Sequence, residues 1–230
     1  MLIIGHRGAC GHALENTLAS IKKALDIGVD AIEFDIHKTA DDQLVLMHDD
    51  TIDRTTNGSG SIAELSLSEL EKYDAGNHEK IPTLQEALDL INKQAIADIE
   101  IKDPACVPFL YSIINSYVNS GWQPNNFIIS SFDLIPLKKI HSLLPTIQLM
   151  AIISNATENW LDIMEQIPIS LIAVSYVSLY KDFVTQAHEH RLKVIPYTVN
   201  DPSDIKRMID INVDGIISDY PDRIKEYLAT

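Results

Sequence analysis

"AIEFDIHK" (residues 31–38) and "AIADIEIK" (residues 95–102) are the two stretches that decide the fold. Each is a short apolar run that carries carboxylates at alternate positions, namely Glu33, Asp35, Asp98 and Glu100. Side chains two positions apart lie on the same face of a β-strand, so each run directs its carboxylates to one side and its isoleucines to the other. Two strands with this pattern need a fold in which both faces are covered and the acids meet something that balances them.

The same kind of apolar run recurs along the chain, alternating with helical segments. The strand-like runs cover residues 2–6, 31–36, 95–101, 127–132, 147–153, 171–176, 193–199 and 215–220. Segments with helical periodicity cover residues 16–28, 83–93, 107–121, 133–144, 158–167, 181–192, 203–211 and 222–229. This alternation predicts an α/β fold in which a parallel sheet closes into a single (β/α)8 barrel. An open doubly wound sheet is the alternative, but no G-x-G-x-x-G follows the first run.

Local signals at the helix ends agree with this assignment. Asn16 and Thr17 are interpreted as the N-cap of the first helix, and Thr83 with Glu86 has the spacing of a capping box. Gly28 stands where the first helix is expected to end.

The segment after the second predicted strand breaks the alternation. "DDQ" (residues 41–43) indicates a hairpin turn, "TNGSGS" (residues 56–61) is a cluster of turn residues, and Ser68 with Glu71 has the spacing of a short helix's cap. Long ordered loops are usually functional, and this one leaves the end of the barrel where active sites of the fold are built. We therefore predict a small insertion at roughly residues 49–82.

Length and composition fit one globular domain over residues 1–230. The chain is 46% hydrophobic and 22% charged, and its formal net charge is −15. Such an acidic surface argues against binding to nucleic acid or to anionic membranes, although a local cationic pocket can still bind a small anion. The N-terminus has no signal-peptide pattern, no apolar run reaches a membrane-spanning length, and the two cysteines form no disulfide framework. These features predict a cytoplasmic protein.

Charged side chains are expected to meet inside the barrel. If the isoleucines of the two opening stretches face the helices, Glu33, Asp35, Glu100 and Lys102 point inward, and Arg7 follows the first strand. Buried carboxylates repel each other and cost several kcal/mol each in desolvation, so they need protons or a cation. With oxygen ligands only, the ion would be Mg²⁺ or Ca²⁺. An internal salt-bridge network without metal remains the alternative.

Two histidines end apolar runs beside this acidic group. His6 follows the first strand-like run, and His48 follows "LVLM". A pair of histidines in such a place suits a general acid and a general base near neutral pH. Ordinary, non-catalytic histidines are an equally open interpretation from spacing alone.

The whole of residues 6–60, which contains "HRG", "ENT", "EFD" and "HDD", resembles the signature of the glycerophosphodiester phosphodiesterase family. Later stretches resemble it in the same order: "IPTLQEAL" (81–88), "DIEIK" (98–102), "ISSFD" (129–133), "YTVND" (197–201) and "DGIISDYPD" (214–222). The resemblance thus covers nearly the whole chain.

This resemblance implies a TIM-like barrel that hydrolyses glycerophosphodiesters to sn-glycerol 3-phosphate and an alcohol with the help of a divalent metal, Mg²⁺ or Ca²⁺. It assigns acid and base catalysis to His6 and His48. The implied metal ligands are Glu33, Asp35 and Glu100, and the implied phosphate ligands are Arg7 and Lys102. The partner is then a small molecule, without nucleic acid or stable membrane association.

Three positions depart from the family pattern. Leu14 replaces a usual proline before "ENT", and Asp98 stands where asparagine is common, so we do not count Asp98 among the metal ligands. Tyr197 stands where many members have tryptophan, and we expect it to form an aromatic wall for the substrate. Phe132 lines either the pocket or only the core.

Two other functions stay open at this stage. A phospholipase would use the same residues on a membrane substrate, which the charge of −15 opposes. A non-catalytic sensor of phosphodiesters would have no use for two proton-transfer groups. The head-group preference, the oligomeric state, the nucleophile and the division of roles between the two histidines do not follow from the sequence.

Overall fold

A computed structural model describes residues 1–228 of the chain. Its strands are β1 (Leu2–Gly5), β2 (Ala31–Lys38), β3 (Leu44–Leu46), β4 (Ile96–Ile101), β5 (Phe127–Ser131), β6 (Gln148–Ile153), β7 (Leu171–Ser175), β8 (Lys193–Tyr197) and β9 (Gly215–Ser218). Its α-helices are α1 (Leu18–Ile27), α2 (Leu67–Leu70), α3 (Leu84–Ile91), α4 (Val107–Asn119), α5 (Leu134–Leu143), α6 (Trp160–Gln166), α7 (Lys181–Glu189), α8 (Pro202–Asp210) and α9 (Pro221–Leu228). Short 3₁₀ turns cover Ile62–Glu64, Pro104–Cys106 and Pro124–Asn126.

The strands form the predicted barrel. Parallel pairing gives the order β8-β7-β6-β5-β4-β2-β1-β9. Two backbone hydrogen bonds join the ends of this order, from Asp214 N to Val194 O at 3.0 Å and from Val199 N to Ile217 O at 2.9 Å. The sheet is therefore nearly closed, with helices on its outside, which is a (β/α)8 TIM-like barrel. The last predicted helix, residues 222–229, agrees with α9 up to Leu228. Residue 229 lies outside the described residues.

Alternate side chains of each strand serve two different apolar clusters. Ile32, Phe34 and Ile36 of β2 belong to the large cluster between the sheet and the helices. A smaller cluster, which includes Ile4 and Ile195, lies inside the barrel. The carboxylates of β2 have the parity of the inner cluster, which confirms the prediction that they point inward.

The expected turn and cap signals are confirmed with one shift. β3 pairs antiparallel with β2 across the "DDQ" turn, and Thr17 and Thr83 each form a capping box. Helix α1 ends at Gly28, which has φ 78°. The cap of the short helix α2 is Ser66 with Glu69, not Ser68 with Glu71, because Ser66 is the extended residue whose N–H donates to Glu69 Oε2 at 2.8 Å.

The segment between β3 and α3 has a small apolar core of its own. Buried side chains from along this segment pack together, namely Met47, Ile52, Ile62, Leu70, Ala75 and Ile81, with Val45 of β3. The segment is therefore a packed unit at the rim of the barrel rather than a loose loop. Within residues 1–228, no helix has both the length and the apolar content that crossing a membrane requires.

Gly8, in the loop just after β1, tests how closely this loop packs against helix α1. Gly8 has φ 89°, and a Cβ placed there would lie 2.5 Å from the carbonyl carbon of Ser20 in α1. Gly121 has φ 95°, but a Cβ there meets no atom of the described residues within 4 Å. We expect Gly121→Ala to lower the free energy of unfolding by about 1–2 kcal/mol, the cost of a left-handed alanine. Gly8→Ala should cost about 1–3 kcal/mol more, because the added carbon also overpacks the loop against α1.

Urea denaturation of the two variants and the wild type measures this difference. Equal losses in the two variants would contradict the close approach of the β1–α1 loop to helix α1.

Candidate active site

Three buried carboxylates meet inside the barrel at the carboxyl ends of neighbouring strands. Glu33 and Asp35 lie on β2, and the register places Asp35 opposite Glu100 of β4. One oxygen of each of the three carboxylates lies within 4.8 Å of the others. All three residues are buried, and at most 7% of the surface of any of them is exposed. The structure thus brings together the three acids that the sequence marked as candidate metal ligands.

Two cationic side chains approach Asp35 from opposite sides. Lys102 Nζ lies 2.9 Å from Asp35 Oδ1 and also contacts Glu100, and Arg7 Nε lies 3.4 Å from Asp35 Oδ2. Burial alone would raise the pKa of Asp35, but the charges of Lys102 and Arg7 outweigh it and hold that pKa below its usual value. Asp35 is consequently the ionised member of the group.

The pKa values of Glu33 and Glu100 are raised, in contrast to that of Asp35. Burial, followed by the charge of Asp35, raises the pKa of Glu33 well above its usual value, although the Arg7 backbone N–H donates to Glu33 Oε2 at 2.9 Å. The same two causes raise the pKa of Glu100 to about 7, in spite of its contact with Lys102. Without a further cation, Glu33 therefore favours the protonated form, and Glu100 keeps its proton up to about neutral pH.

The donor set suits a hard divalent cation. All three candidate ligands offer oxygen, and Asp35 Oδ1 has no hydrogen-bond partner among the described residues although the Lys102 ammonium is near it. A divalent ion would counter the charge that now keeps two carboxyl groups protonated. The residues therefore can hold a metal ion.

Asp98 lies opposite Glu33 in the strand register, two positions before Glu100 on β4. It is fully buried, its Oδ1 accepts a hydrogen bond from Ser130 Oγ at 2.7 Å, and its Oδ2 has no partner in the described part of the chain. Burial raises the pKa of Asp98 to about 8. Asp98 is not one of the three grouped ligands, in line with its exclusion from the metal ligands above.

His6 follows β1 and is oriented by a carboxylate from the other end of the chain. Its Nδ1 lies 2.6 Å from Asp219 Oδ1, while its Nε2 lies 3.9 Å from Glu33 Oε2. Burial would raise the pKa of Asp219, but hydrogen bonds from His6 and Cys10 lower it to about 2. An ionised carboxylate only accepts, so Nδ1 carries the proton and Nε2 is free to face the acids.

His48 has a parallel arrangement on the other side of the site. Its Nδ1 lies 2.7 Å from Asp49 Oδ1, and its backbone oxygen is 3.2 Å from His37 Nε2. Hydrogen bonds from Arg54 and His48 hold the pKa of Asp49 below its usual value. Each histidine thus has a carboxylate at Nδ1, which fixes the orientation of its ring.

Arg54 of the segment after β3 links the two sides of the site. Its guanidinium donates to Asp49 from Nε at 2.7 Å and to Glu15 from Nη1 at 2.9 Å and from Nη2 at 2.8 Å. Glu15 in turn accepts from Arg7 Nη1 at 2.7 Å. The chain Arg7–Glu15–Arg54–Asp49–His48 is a continuous set of charge-assisted hydrogen bonds.

These groups surround a cavity of about 170 Å³ at the mouth of the barrel, and its lining includes both His6 and His48. Phe132 and Tyr197 form an aromatic wall with ring centroids 6.2 Å apart, and Tyr197 Oη donates to Ile153 O at 2.9 Å. Lys102 lies 6.0 Å from the centre of the Phe132 ring. Phe132 therefore lines the pocket, and with 51% of its surface exposed it is not part of the core.

A second, larger cleft of about 730 Å³ lies outside this inner cavity. It runs between the loop after β1, the segment after β3 and the loop after β9, and residues such as Cys10, Glu15, Arg54 and Asp219 line it. The inner cavity and not this cleft is lined by the two histidines and by Glu33 and Glu100 of the candidate metal ligands.

Sequence reasoning placed the three acids, the two cations and the two histidines at one barrel end, and missed the residues that orient them. Asp49, Arg54 and Asp219 were not recognised. Asn16, interpreted as a helix cap, does not cap α1; its side chain donates to Asp35 Oδ2 at 2.8 Å and accepts from Asp35 N at 3.2 Å. An acid directly after a strand-end histidine was a usable signal for Asp49, whereas Asp219 pairs across 213 positions.

Known proteins with similar sequences belong to one enzyme family. A sequence model of the Glycerophosphoryl diester phosphodiesterase family matches residues 6–223. The chain is 35% identical to a glycerophosphodiester phosphodiesterase of Caldanaerobacter subterraneus subsp. tengcongensis, covering 97% of this chain and 96% of the relative. It is 33% identical to a glycerophosphodiester phosphodiesterase of Bacillus subtilis, covering 96% of this chain and 84% of that one.

Among solved structures, an Oleispira antarctica phosphodiesterase in complex with the product sn-glycerol-3-phosphate is similar over the whole chain. The TM-score is 0.92 at 28% identity, with 100% of this chain and 97% of the other covered.

The buried Asp98 leads to a prediction about how the free energy of unfolding depends on pH. The ordinary pKa of 3.8 applies in the unfolded chain and about 8 in the folded one, so between these values the native state holds a proton that the unfolded state releases. That contribution to stability is complete below 3.8 and is lost as the pH rises through about 8. Asn at this position cannot ionise. We expect the unfolding free energy of Asp98→Asn to fall less steeply between pH 5 and pH 8 than that of the wild type.

Urea denaturation in chelator at both pH values measures the two slopes, and circular dichroism checks that the variant is folded. If the unfolding free energies of the variant and the wild type changed equally with pH, Asp98 would not be the group that holds a proton in the native state.

Proposed function

The chain belongs to the glycerophosphoryl diester phosphodiesterase family and is an enzyme of that activity; from this premise we propose that it forms sn-glycerol 3-phosphate and an alcohol by metal-assisted general acid/base catalysis. The observation that carries the proposal is that two histidines, each with a carboxylate at Nδ1, line one cavity together with two acids, Glu33 and Glu100, and two cations. Hydrolysis of a phosphodiester requires that its anionic phosphate be bound, that the nucleophile lose a proton and that the leaving oxygen gain one. This set of side chains meets these needs.

In this proposal Arg7 and Lys102 bind the non-bridging phosphate oxygens. Both side chains line the cavity, and nearby carboxylates raise the pKa of each above its usual value in spite of burial, so both stay charged. Glu33, Asp35 and Glu100 would hold Mg²⁺ or Ca²⁺. When bound, the ion supplies further positive charge for the oxygens, where negative charge grows in the transition state. The two protein cations act at the same atoms and hold the phosphate in place.

His6 and His48 move the protons. The Nδ1 of each ring is held by Asp219 or Asp49, so transfer takes place at Nε2. One ring accepts a proton from the nucleophile, and the other donates a proton to the leaving alkoxide. The two carboxylates stabilise the imidazolium that forms and keep the rings in position, as an acid does behind a catalytic histidine in other hydrolases.

The glycerol part of the substrate lies against Phe132 and Tyr197 in the inner cavity. At about 170 Å³ the cavity is small, so the head group extends beyond it. The solved relative with bound sn-glycerol-3-phosphate supports a glycerophosphate product. Residues 1–230 as one domain with an insertion at roughly 49–82, and a cytoplasmic location, stay predictions from the sequence.

A coupled assay for sn-glycerol 3-phosphate across diesters of choline, ethanolamine, glycerol and inositol tests the function. We expect product release that stops in chelator and returns when Mg²⁺ or Ca²⁺ is added, because the three acids lose the ion that completes the site. Release that is unchanged by exhaustive chelation would contradict the metal assignment. Absence of release with every head group and both ions would contradict the proposed reaction.

Single substitutions test the two histidines. We expect His6→Ala and His48→Ala each to lower kcat by roughly 10²–10⁴-fold, the usual contribution of a general acid or base. His141→Ala on helix α5 is the matched control and should retain wild-type activity, because His141 does not line the cavity.

Thermal unfolding of each variant separates loss of catalysis from loss of folding. Near-normal kcat in either of the two histidine variants would remove that residue from the mechanism.

A further inference from the structure

Cys10 lies beside the pair formed by His6 and Asp219. Its Sγ donates to Asp219 Oδ1 at 2.8 Å and lies 3.9 Å from His6 Nδ1. One ligand atom from each of these three residues, a nitrogen, a sulfur and an oxygen, lies within 4.8 Å of the other two. The mechanism above uses His6 and Asp219 but gives no role to the thiol.

This group differs in chemistry from the oxygen set of Glu33, Asp35 and Glu100. Imidazole nitrogen and thiolate sulfur select zinc and similar ions, whereas carboxylate oxygens alone select magnesium and calcium. Asp219 is also fixed from behind, because Asn200 Nδ2 donates to its other oxygen at 2.6 Å. Outer contacts of this kind orient a ligand toward a metal.

The group is open to solvent ions. Cys10 and Asp219 both line the cleft of about 730 Å³, which is outside the inner cavity. An ion can reach the thiol through this cleft without passing the substrate, and water in the cleft can supply a fourth ligand. Three protein ligands with an open fourth position is a common arrangement for zinc.

We propose that His6 Nδ1, Cys10 Sγ and Asp219 Oδ1 form a second metal site for Zn²⁺ or Cd²⁺, and that occupation of this site inhibits the enzyme. On binding, the thiol gives its proton to water as the metal–sulfur bond forms, and the single proton of the neutral ring moves through water from Nδ1 to Nε2, which leaves Nδ1 free to bind the ion. The three ligand atoms move apart slightly, because atoms bound to one ion lie farther from each other than hydrogen-bonded atoms do.

Inhibition follows from the state of the His6 ring and rests on the proposed function. With an ion on Nδ1, the neutral ring carries its one proton on Nε2 and has no free nitrogen to accept another. Asp219 no longer stabilises an imidazolium, because its oxygen is bound to the ion. His6 therefore cannot cycle between base and acid, although the oxygen set and the substrate cavity are unchanged.

Cys10 distinguishes this site from displacement of Mg²⁺ at the oxygen set, and the chain contains a matched control. Cys106 is the only other cysteine of the sequence, and its thiol is fully buried with Sγ 3.9 Å from Ile36 O. The test compares wild type, Cys10→Ala and Cys106→Ala, each saturated with Mg²⁺ and assayed over a series of Zn²⁺ and Cd²⁺ concentrations. Inhibition is expressed relative to each protein's own activity without the added ion.

We expect the wild type and Cys106→Ala to be inhibited at the same concentrations. Cys10→Ala should need at least ten times more ion, since even the loss of an outer partner weakens metal binding by roughly 10–100-fold. Equal inhibition of wild type and Cys10→Ala would place the ion at the oxygen set and overturn the proposal.

A second measurement does not depend on turnover. Cadmium bound to a thiolate gives an ultraviolet charge-transfer band, which should appear in the Mg²⁺-saturated wild type and Cys106→Ala and be lost in Cys10→Ala. A band that is absent from the wild type, or that survives without Cys10, would overturn the site whether or not the proposed reaction is observed. A Cys10-dependent band without inhibition would retain the site and overturn its effect on His6.

Discussion

The contact between the Asp35 carboxylate and its two cations is the interaction on which the site depends. β2 is covered by helices on one face and by the packed barrel interior on the other, so a charge on it has no access to water. Lys102 and Arg7 keep Asp35 ionised there, and Asn16 donates to the same carboxylate. Removing one partner from a buried pair costs about 3–5 kcal/mol, because the other charge is left without compensation. Stability and chemistry therefore require the same residues.

The segment after β3 extends this arrangement to the second histidine. His48, Asp49 and Arg54 lie on this segment, and its small apolar core holds their backbone in place at the rim of the barrel. Arg54 then joins Asp49 to Glu15, and Glu15 joins Arg7. The orientation of His48 and the position of the Arg7 side chain are thus coupled through one guanidinium. A flexible loop would lose side-chain and backbone entropy in forming these contacts, whereas a packed segment has already lost it.

Much of this arrangement could be predicted from the sequence because it follows local periodicity. The two-residue period of β2 is enough to place Glu33 and Asp35 on the inner face, and the alternation of strands and helices is enough to predict the barrel. The orienting groups could not be predicted in the same way, because Asp219 meets His6, and Arg54 meets Glu15, through the tertiary fold. Asn16 was misinterpreted since an asparagine before a helix usually caps it; here φ 55° turns its side chain toward Asp35 instead.

Protonation explains how an acidic cluster in a protein of net charge −15 can attract an anionic substrate. The raised pKa values of Glu33 and Glu100, the latter about 7, favour neutral carboxyl groups when no metal is bound, while Arg7 and Lys102 remain charged. The inner site then has more positive than negative charge, and the acidic surface beyond about 8 Å is screened by salt. Binding of a divalent ion releases the carboxyl protons, so added positive charge is matched by newly ionised ligands. Arg7 and Lys102 consequently stay charged whether or not the neighbouring carboxyl groups are ionised.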